Sequence, residues 1–246
     1  MLLFLASKIN RLGVLRLNRK KQNQSSQRSL VTLTNPKSPI SEQYRTIRTN
    51  IQFAAVDQDI KSIVVTSSTP SEGKSTTTAN LAIVFAQQGK KVLLVDADLR
   101  KPTMHYTFQL LNTYGLTNVL AGQAAMNGVI SKTDNEHLSV ITSGPIPPNP
   151  AEMLGSNAMK QFVKEAKQNY DIVLFDSPPV LAVTDAQILG NLSDGVILVV
   201  QSGKTEVEAA QKSKELLQQA NTKILGTVLN QKKTSKKQGY YYYYGS

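Results

Sequence analysis

The fold of this 246-residue chain is decided by the stretch Val64-Val65-Thr66-Ser67-Ser68-Thr69-Pro70-Ser71-Glu72-Gly73-Lys74-Ser75-Thr76. The apolar run that leads into it predicts a buried strand at Ser62–Thr66, and the run that follows predicts a helix at Thr77–Gln88. A strand-to-helix turn directs backbone N–H groups and the positive end of a helix dipole at one point. The Gly-Lys-Ser string therefore predicts a P-loop, with Lys74 reaching β- and γ-phosphates and the Ser75 hydroxyl reaching Mg²⁺.

One position in this turn leaves an alternative open. Ser68 stands where the usual P-loop motif has its first glycine. Without that glycine, the string also suits an ordinary helix N-terminus that is rich in hydroxyl groups. The strand before the turn and the helix after it favour the P-loop.

The rest of the chain alternates predicted strands and helices. A continuous apolar run predicts a buried parallel strand at Val92–Val95. Further strands are predicted at Leu138–Thr142, Ile172–Phe175, Gly195–Val200 and Ile224–Leu229. Helices are predicted at Ser41–Phe53, Ala151–Gln168, Asp185–Asn191 and Glu206–Ala220, with Ser41 as the N-cap of the first. This order predicts an α/β fold of the P-loop NTPase type, a single domain with a mostly parallel sheet flanked by helices.

Four charged side chains fall at the carboxyl ends of the predicted strands, where such folds bind ligands. They are Lys74, Asp96, Asp98 and Asp176. Asp176 ends a buried strand and suits a Mg²⁺-linked carboxylate of the Walker B kind, although a turn or cap is the alternative. Asp96 and Asp98 point the same way if the backbone is extended, so that one can approach a metal and the other a substrate hydroxyl.

Composition limits the possible partners. The chain has no cysteine, which excludes disulfides and thiolate chemistry, and its formal net charge is +11. Seven basic residues lie within residues 1–30, and four more are Lys232, Lys233, Lys236 and Lys237, so the remainder is neutral on balance. Because the excess lies in two tails, we expect no nucleic-acid partner and favour an acidic surface such as anionic lipid.

The two ends of the sequence differ in composition from the predicted domain. The apolar start Met1–Ala6 is too short to span a bilayer, and residues 1–30 are predicted to be disordered or interfacial. An equally open alternative is that translation starts downstream of it. Residues 231–246 are rich in Lys and Tyr, end in the cluster Tyr240–Tyr244, and are predicted to be a flexible tail.

The predicted first helix carries Glu42, Arg45 and Arg48 three residues apart, on one face. Periodicity alone favours a solvated charged face for these residues.

Six motifs in order closely resemble the bacterial tyrosine kinases (BY-kinases) of capsule and exopolysaccharide synthesis, in their Gram-positive separate-chain form. They are Ser-Glu-Gln-Tyr-Arg-x-x-Arg (41–48), Glu-Gly-Lys-Ser-Thr (72–76), Leu-Leu-Val-Asp-Ala-Asp-Leu-Arg-Lys-Pro (93–102), Thr-Ser-Gly-Pro-Ile-Pro-Pro-Asn-Pro-Ala-Glu (142–152), Asp-Ser-Pro-Pro (176–179) and the tyrosine tail. The resemblance covers about residues 31–246, with a kinase domain over 31–230.

The resemblance implies a role for each matching residue. ATP phosphates are held by Ser71, Glu72, Gly73, Lys74, Ser75 and Thr76, and Asn230 completes the nucleotide site. Mg²⁺ is held by Ser75 and Asp176 with Asp98 near it, and Asp96 is favoured over Asp98 as the base toward the incoming tyrosine. Glu42, Arg45 and Arg48 join subunits into a ring, which replaces the solvated-face interpretation. Tyr240, Tyr241, Tyr242, Tyr243 and Tyr244 are autophosphorylation sites.

The same resemblance implies partners. These are a membrane-anchored activator of the polysaccharide co-polymerase type, a cognate tyrosine phosphatase and protein substrates of polysaccharide synthesis. The expected location is cytoplasmic, at the inner face of the membrane through the activator.

Two departures keep other functions open. Ser71 replaces the family's glycine, and it costs roughly 1 kcal/mol or more if φ is positive there; this supports a non-catalytic regulatory pseudokinase. A deviant-Walker ATPase of the partitioning type is the other alternative, but those proteins carry a lysine where Thr69 stands.

Overall fold

The computed structural model describes residues 30–54 and 59–232. Its sheet has seven strands: β1 (Ser62–Ser67), β2 (Val92–Asp96), β3 (Ser131–Lys132), β4 (Leu138–Ile141), β5 (Ile172–Asp176), β6 (Gly195–Gln201) and β7 (Ile224–Asn230). They lie in the order β3-β4-β2-β5-β1-β6-β7. All neighbours pair in parallel except the short edge strand β3, which pairs antiparallel with β4. The predicted mostly parallel α/β sheet is confirmed.

Nine α-helices are described around the sheet in residues 30–54 and 59–232. They are α1 (Val31–Thr34), α2 (Pro39–Ala54), α3 (Lys74–Ala86), α4 (Met104–Phe108), α5 (Leu116–Leu120), α6 (Pro150–Leu154), α7 (Asn157–Asn169), α8 (Asp185–Leu192) and α9 (Val207–Gln219). No helix in this part of the chain is both long and apolar enough to cross a lipid bilayer.

The central strands are buried on both faces, which explains their continuous apolar runs. Alternate residues point to opposite sides of the sheet. Val64, Val95 and Phe175 pack on the face that α7, α8 and α9 cover, whereas Val65 and Leu94 pack on the face of α2 and α3. Helix α3, which follows the P-loop, lies deepest and is buried from Thr77 to Ala86. The P-loop therefore rests on a rigid base.

Three of the predicted helices differ from the structure, two in where they begin and one in being divided. Ser41 is not an N-cap: α2 begins at Pro39, and the buried Ser41 hydroxyl donates to the carbonyl of Asn35 over 2.7 Å. The helix expected at Thr77–Gln88 is shifted, since α3 begins at Lys74 and ends at Ala86.

The single helix expected at Ala151–Gln168 is two helices, α6 and α7. Helix α6 ends with Gly155 as its C-cap. The Ser156 hydroxyl then caps α7 by accepting a hydrogen bond from the Met159 N–H over 3.2 Å. A side-chain cap of this kind competes with a continuous helix and starts a new one.

Candidate active site

The sheet order brings the predicted site residues to one edge. Strand β5 lies between β1 and β2, so the end of β5 is adjacent both to the P-loop and to the end of β2. Asp96 is paired in register with Asp176, and the Ala97 N–H donates to the Asp176 carbonyl over 2.9 Å. Because parallel strands share one carboxyl edge, residues 80 positions apart in the chain become neighbours.

The Lys74 ammonium group lies among the carboxylates at this edge. Its Nζ is 2.8 Å from Asp98 Oδ2, 3.4 Å from Asp176 Oδ1 and 3.2 Å from the Ser75 hydroxyl oxygen. Burial by itself lowers the pKa of Lys74, but the negative charges of Asp176 and Asp98 raise it by more, so its pKa lies above the ordinary value. Lys74 is therefore a fixed positive charge in a buried site.

Asp96 has a different environment from Asp98. It is fully buried, and its Oδ2 accepts hydrogen bonds from the backbone N–H groups of Thr103 and Met104, each over 2.8 Å. Its Oδ1 accepts no hydrogen bond from any residue in the described part of the chain. Burial, followed by the negative charge of Asp176, raises the pKa of Asp96 to about 7. A carboxyl group with this pKa suits proton transfer near neutral pH.

The P-loop backbone is left-handed at two positions. Gly73 has φ +92° and Ser71 has φ +69°. The positive φ considered for Ser71 is confirmed, and it costs about 1 kcal/mol relative to glycine. Glycine is strongly favoured at position 73 because of its φ of +92°, and an added Cβ would also lie 2.0 Å from Asn230 Nδ2, so that the Asn230 side chain would have to move.

A cavity of about 640 Å³ opens in front of this edge. Of the predicted site residues, Ser71, Gly73, Lys74, Ser75, Thr76 and Asp98 line it. Glu72, Asp96, Asp176 and Asn230 are not among the lining residues. The further lining residues are Pro70, Arg100, Lys101, Thr103, Pro178, Pro179, Ala182, Val183 and Gln231.

The ion pair between Arg100 and Asp185 was not anticipated from sequence. Arg100 Nε and Nη2 each lie 2.9 Å from the carboxylate of Asp185, which is fully buried at the start of α8. Such a two-point contact fixes orientation as well as position. It ties the loop after β2 to the start of α8, and the local sequence signal was the arginine of the 93–102 motif.

The oxygen-rich edge fits Mg²⁺. Carboxylate oxygens of Asp98 and Asp176 and the hydroxyl oxygen of Ser75 are hard ligands. All three groups lie around the Lys74 ammonium group, at 2.8 Å, 3.4 Å and 3.2 Å from its Nζ. In residues 30–54 and 59–232, no three acidic, histidine or cysteine side chains form a complete metal cage. Mg²⁺ beside a nucleotide needs only one or two protein oxygens, because phosphates and water supply the others.

The predicted oligomerisation residues lie on α2 and make contacts within the chain. Arg45 forms an ion pair with Glu42 and also donates to the carbonyl of Pro36 over 2.8 Å. Arg48 Nη1 donates to the carbonyl of Val84 in α3 over 2.8 Å. The predicted autophosphorylation sites Tyr240–Tyr244, like most of the predicted N-terminal extension and C-terminal tail, lie outside the described residues.

Comparisons with known proteins agree with this geometry. A family model described as an AAA domain matches residues 60–231. The chain is 58% identical over 222 residues to the tyrosine-protein kinase YwqD of Bacillus subtilis, covering 90% of this chain and 94% of the relative. It is 40% identical to the tyrosine-protein kinase CpsD of Streptococcus agalactiae serotype III over 190 residues, covering 77% and 81% of the two chains.

Two solved structures are similar as well. The chimerical protein CapA2B2 superposes with a TM-score of 0.81 at 45% identity, covering 83% of this chain and 90% of that one. The septum site-determining protein MinD of Pyrococcus horikoshii, complexed with Mg-ADP, superposes with a TM-score of 0.61 at 27% identity and 72% coverage of both chains. The ATPase alternative thus shares the fold, but the kinases are the nearer in both sequence and structure. The chain belongs to the bacterial tyrosine kinases, in the separate-chain form built on a P-loop domain.

Proposed function

We propose that this tyrosine kinase transfers the γ-phosphoryl group of ATP to Tyr240–Tyr244 of another copy of the chain, and that it thereby regulates capsular or exopolysaccharide synthesis. The observation that carries this is the buried Lys74, held between Asp98 and Asp176 beside a P-loop whose cavity is open. The same chain carries a cluster of five acceptor tyrosines.

Each of these residues has its own role in the proposed phosphoryl transfer. The P-loop N–H groups and Lys74 bind the phosphates and neutralise the charge that grows on the bridging oxygen as its bond to the γ-phosphorus breaks. The new bond forms between the tyrosine Oη and that phosphorus. Asp96 accepts the hydroxyl proton at Oδ1, since Oδ2 is already engaged by two N–H groups.

Mg²⁺ would be held by Ser75, Asp98 and Asp176 and would supply charge neutralisation at the phosphates. Asp98 is the carboxylate that faces the cavity. Asp96 is fully buried and does not line the cavity, so in this proposal the acceptor hydroxyl reaches Asp96 past Asp98. A pKa of about 7 for Asp96 agrees with its role as the base and with the role of Asp98 at the metal.

The mass spectrum of the protein incubated with ATP and Mg²⁺ tests this proposal. We expect phosphate on Tyr240–Tyr244 and its loss when all five are replaced by phenylalanine. Tyr106 and Tyr114 are matched controls, because they are 70% and 61% exposed but lie outside the tail. ATP hydrolysis with unmodified tail tyrosines, or equal phosphate on Tyr106 and Tyr114, would contradict the proposal.

A membrane-anchored activator, a cognate tyrosine phosphatase and protein substrates of polysaccharide synthesis are the proposed partners. CapA2B2 is a chimeric protein, and the similarity of this chain to it supports a second polypeptide that works with the kinase. Such an activator would place the chain at the inner face of the membrane. The same tail assay measures its effect, since the rate should rise when the activator's cytoplasmic segment is added and fall back when a phosphatase is present.

The proposed assembly is a ring in which α2 of each subunit contacts the next. Helix α2 exposes Ile40 and Phe53 near its two ends as well as the Glu42–Arg45 pair, so that apolar packing can add to weak surface charges. A head-to-tail contact of this kind closes into a ring when the rotation permits. In a ring, each tail lies near a neighbour's site at high effective concentration.

Solution mass measurement tests the ring. We expect an oligomer for the unphosphorylated chain, and monomers both for the phosphorylated chain and for the Arg45→Ala/Arg48→Ala variant. Phosphates add about −1.5 to −2 charges each and repel one another on a crowded tail. Because Arg48 also binds Val84 within the chain, the unfolding temperature of the variant is the control. One mass for all three species would exclude the ring.

A further inference from the structure

The side chain of Glu72 turns away from the nucleotide cavity, although it lies in the middle of the P-loop. It is 1% exposed and does not line the cavity. Its Oε2 accepts a hydrogen bond from the Thr69 N–H over 3.0 Å, and its Oε1 accepts one from the Thr69 hydroxyl over 2.9 Å. Glu72 therefore closes the loop on itself.

A third donor to the same carboxylate comes from a distant turn. The Thr205 hydroxyl donates to Glu72 Oε1 over 2.5 Å, across 133 positions of sequence. Thr205 lies in the turn between β6 and α9, and its oxygen also accepts the Gln201 N–H over 2.7 Å. The hydroxyl thus links the P-loop to the end of a buried strand.

The backbone of Glu72 is held from another side. Asn230 Nδ2, at the end of β7, donates to the Glu72 carbonyl over 2.8 Å. In a trans peptide the C=O and the following N–H point in opposite directions. The contact therefore directs the Gly73 N–H away from Asn230, and Gly73 lines the cavity in which phosphate would bind.

We propose that Thr205 is a positioning residue for nucleotide binding, which acts through Glu72 to hold the P-loop in its phosphate-binding shape. This inference rests on the proposed binding of ATP at the P-loop. It explains how a loop that carries a strained Ser71 at φ +69° is held in that shape. Without the Thr205 hydroxyl, the Glu72 carboxylate loses one of its three donors and the loop gains alternative conformations. Nucleotide affinity then falls, because a smaller fraction of the protein has the loop in its binding conformation.

The test compares Thr205→Val, which keeps the side-chain shape, with Thr205→Ser, which keeps the hydroxyl. For Thr205→Val we expect about a tenfold rise in the KM for ATP and in the Kd for Mg-ADP. We expect kcat at saturating ATP to stay within about twofold, because Lys74 and the aspartates are unchanged. Thr205→Ser should restore both constants, and Thr227→Val, an exposed threonine on β7, should leave them unchanged.

Glu72→Leu completes a double-mutant cycle, because leucine removes both acceptor oxygens. If Thr205 acts through Glu72, adding Thr205→Val to Glu72→Leu should weaken Mg-ADP binding by much less than it does in the parent chain. Unchanged affinity in Thr205→Val, failure of Thr205→Ser to restore it, or additive effects of the two substitutions would overturn the inference. Calorimetric binding of Mg-ADP requires no phosphoryl transfer. If the parent chain binds Mg-ADP but phosphorylates no tyrosine, and Thr205→Val binds Mg-ADP more weakly, the role of Thr205 is upheld and the proposed phosphoryl transfer is rejected.

Discussion

Replacement of Lys74 by methionine is expected to reduce tail phosphorylation by about 10²- to 10³-fold, the usual effect of removing one group that stabilises developing negative charge. Methionine keeps much of the length of the side chain but removes the ammonium group that lies 2.8 Å from Asp98. The phosphates then lose the least exposed cation in the lining of the cavity, and Asp98 and Asp176 lose the charge that offsets their repulsion. Phosphotyrosine formation at saturating ATP measures the effect.

The control for Lys74→Met is Lys160→Met, which removes one positive charge from the exposed side of α7. It should leave the rate unchanged. An active Lys74→Met protein, or an equal loss in both variants, would show that the charge of Lys74 is not what binds and stabilises the transferring group. A circular dichroism spectrum of each variant distinguishes loss of chemistry from loss of fold.

Replacement of Asp96 by asparagine is expected to have two opposite effects. Phosphoryl transfer should fall by about 10²- to 10⁴-fold, since asparagine cannot accept the tyrosine proton. The nucleotide-free protein should become more stable at pH 8, because asparagine retains an oxygen for the N–H groups of Thr103 and Met104 and places no charge in a fully buried position.

The pH dependence of that gain follows from the pKa of Asp96, which is about 7 in the folded protein against an ordinary value of 3.8. A folded-state pKa above the unfolded one means that the folded protein binds more protons between these values. The parent chain therefore loses stability as the pH rises from about 4 through 7. Asparagine does not titrate, so the stability gain of Asp96→Asn should be largest at pH 8, on the order of 1–4 kcal/mol, and should shrink toward pH 4.

Urea unfolding of both proteins between pH 4 and pH 8 measures this gain. Asp134→Asn is the matched control, because Asp134 is exposed and its substitution should produce no such trend. A gain of the same size at every pH would show that Asp96 is not a buried acid with a raised pKa. Full kinase activity in Asp96→Asn would exclude it as the base.

The sequence by itself determined the class of fold and most members of the site. Continuous apolar runs located β1, β2, β5 and β6, because a strand buried on both faces needs apolar residues at nearly every position. A similar run located the edge strand β7, although none of its residues is fully buried. The Gly-Lys-Ser turn located the P-loop, because its spacing is set by local backbone geometry. The positive φ of Ser71 was also open to prediction, since it depends on the loop and not on distant contacts.

Tertiary structure decided the surroundings of those residues. Only the strand order places Asp96 beside Asp176, and that proximity, with burial, is what raises the pKa of Asp96. The Arg100–Asp185 pair spans 85 positions, and Thr205 reaches Glu72 across 133. No local periodicity encodes such contacts. The resemblance assigned Glu72 to the nucleotide site, and that assignment stays a prediction. The fold adds that its carboxylate contacts Thr69 and Thr205, because a buried charge needs hydrogen-bond donors.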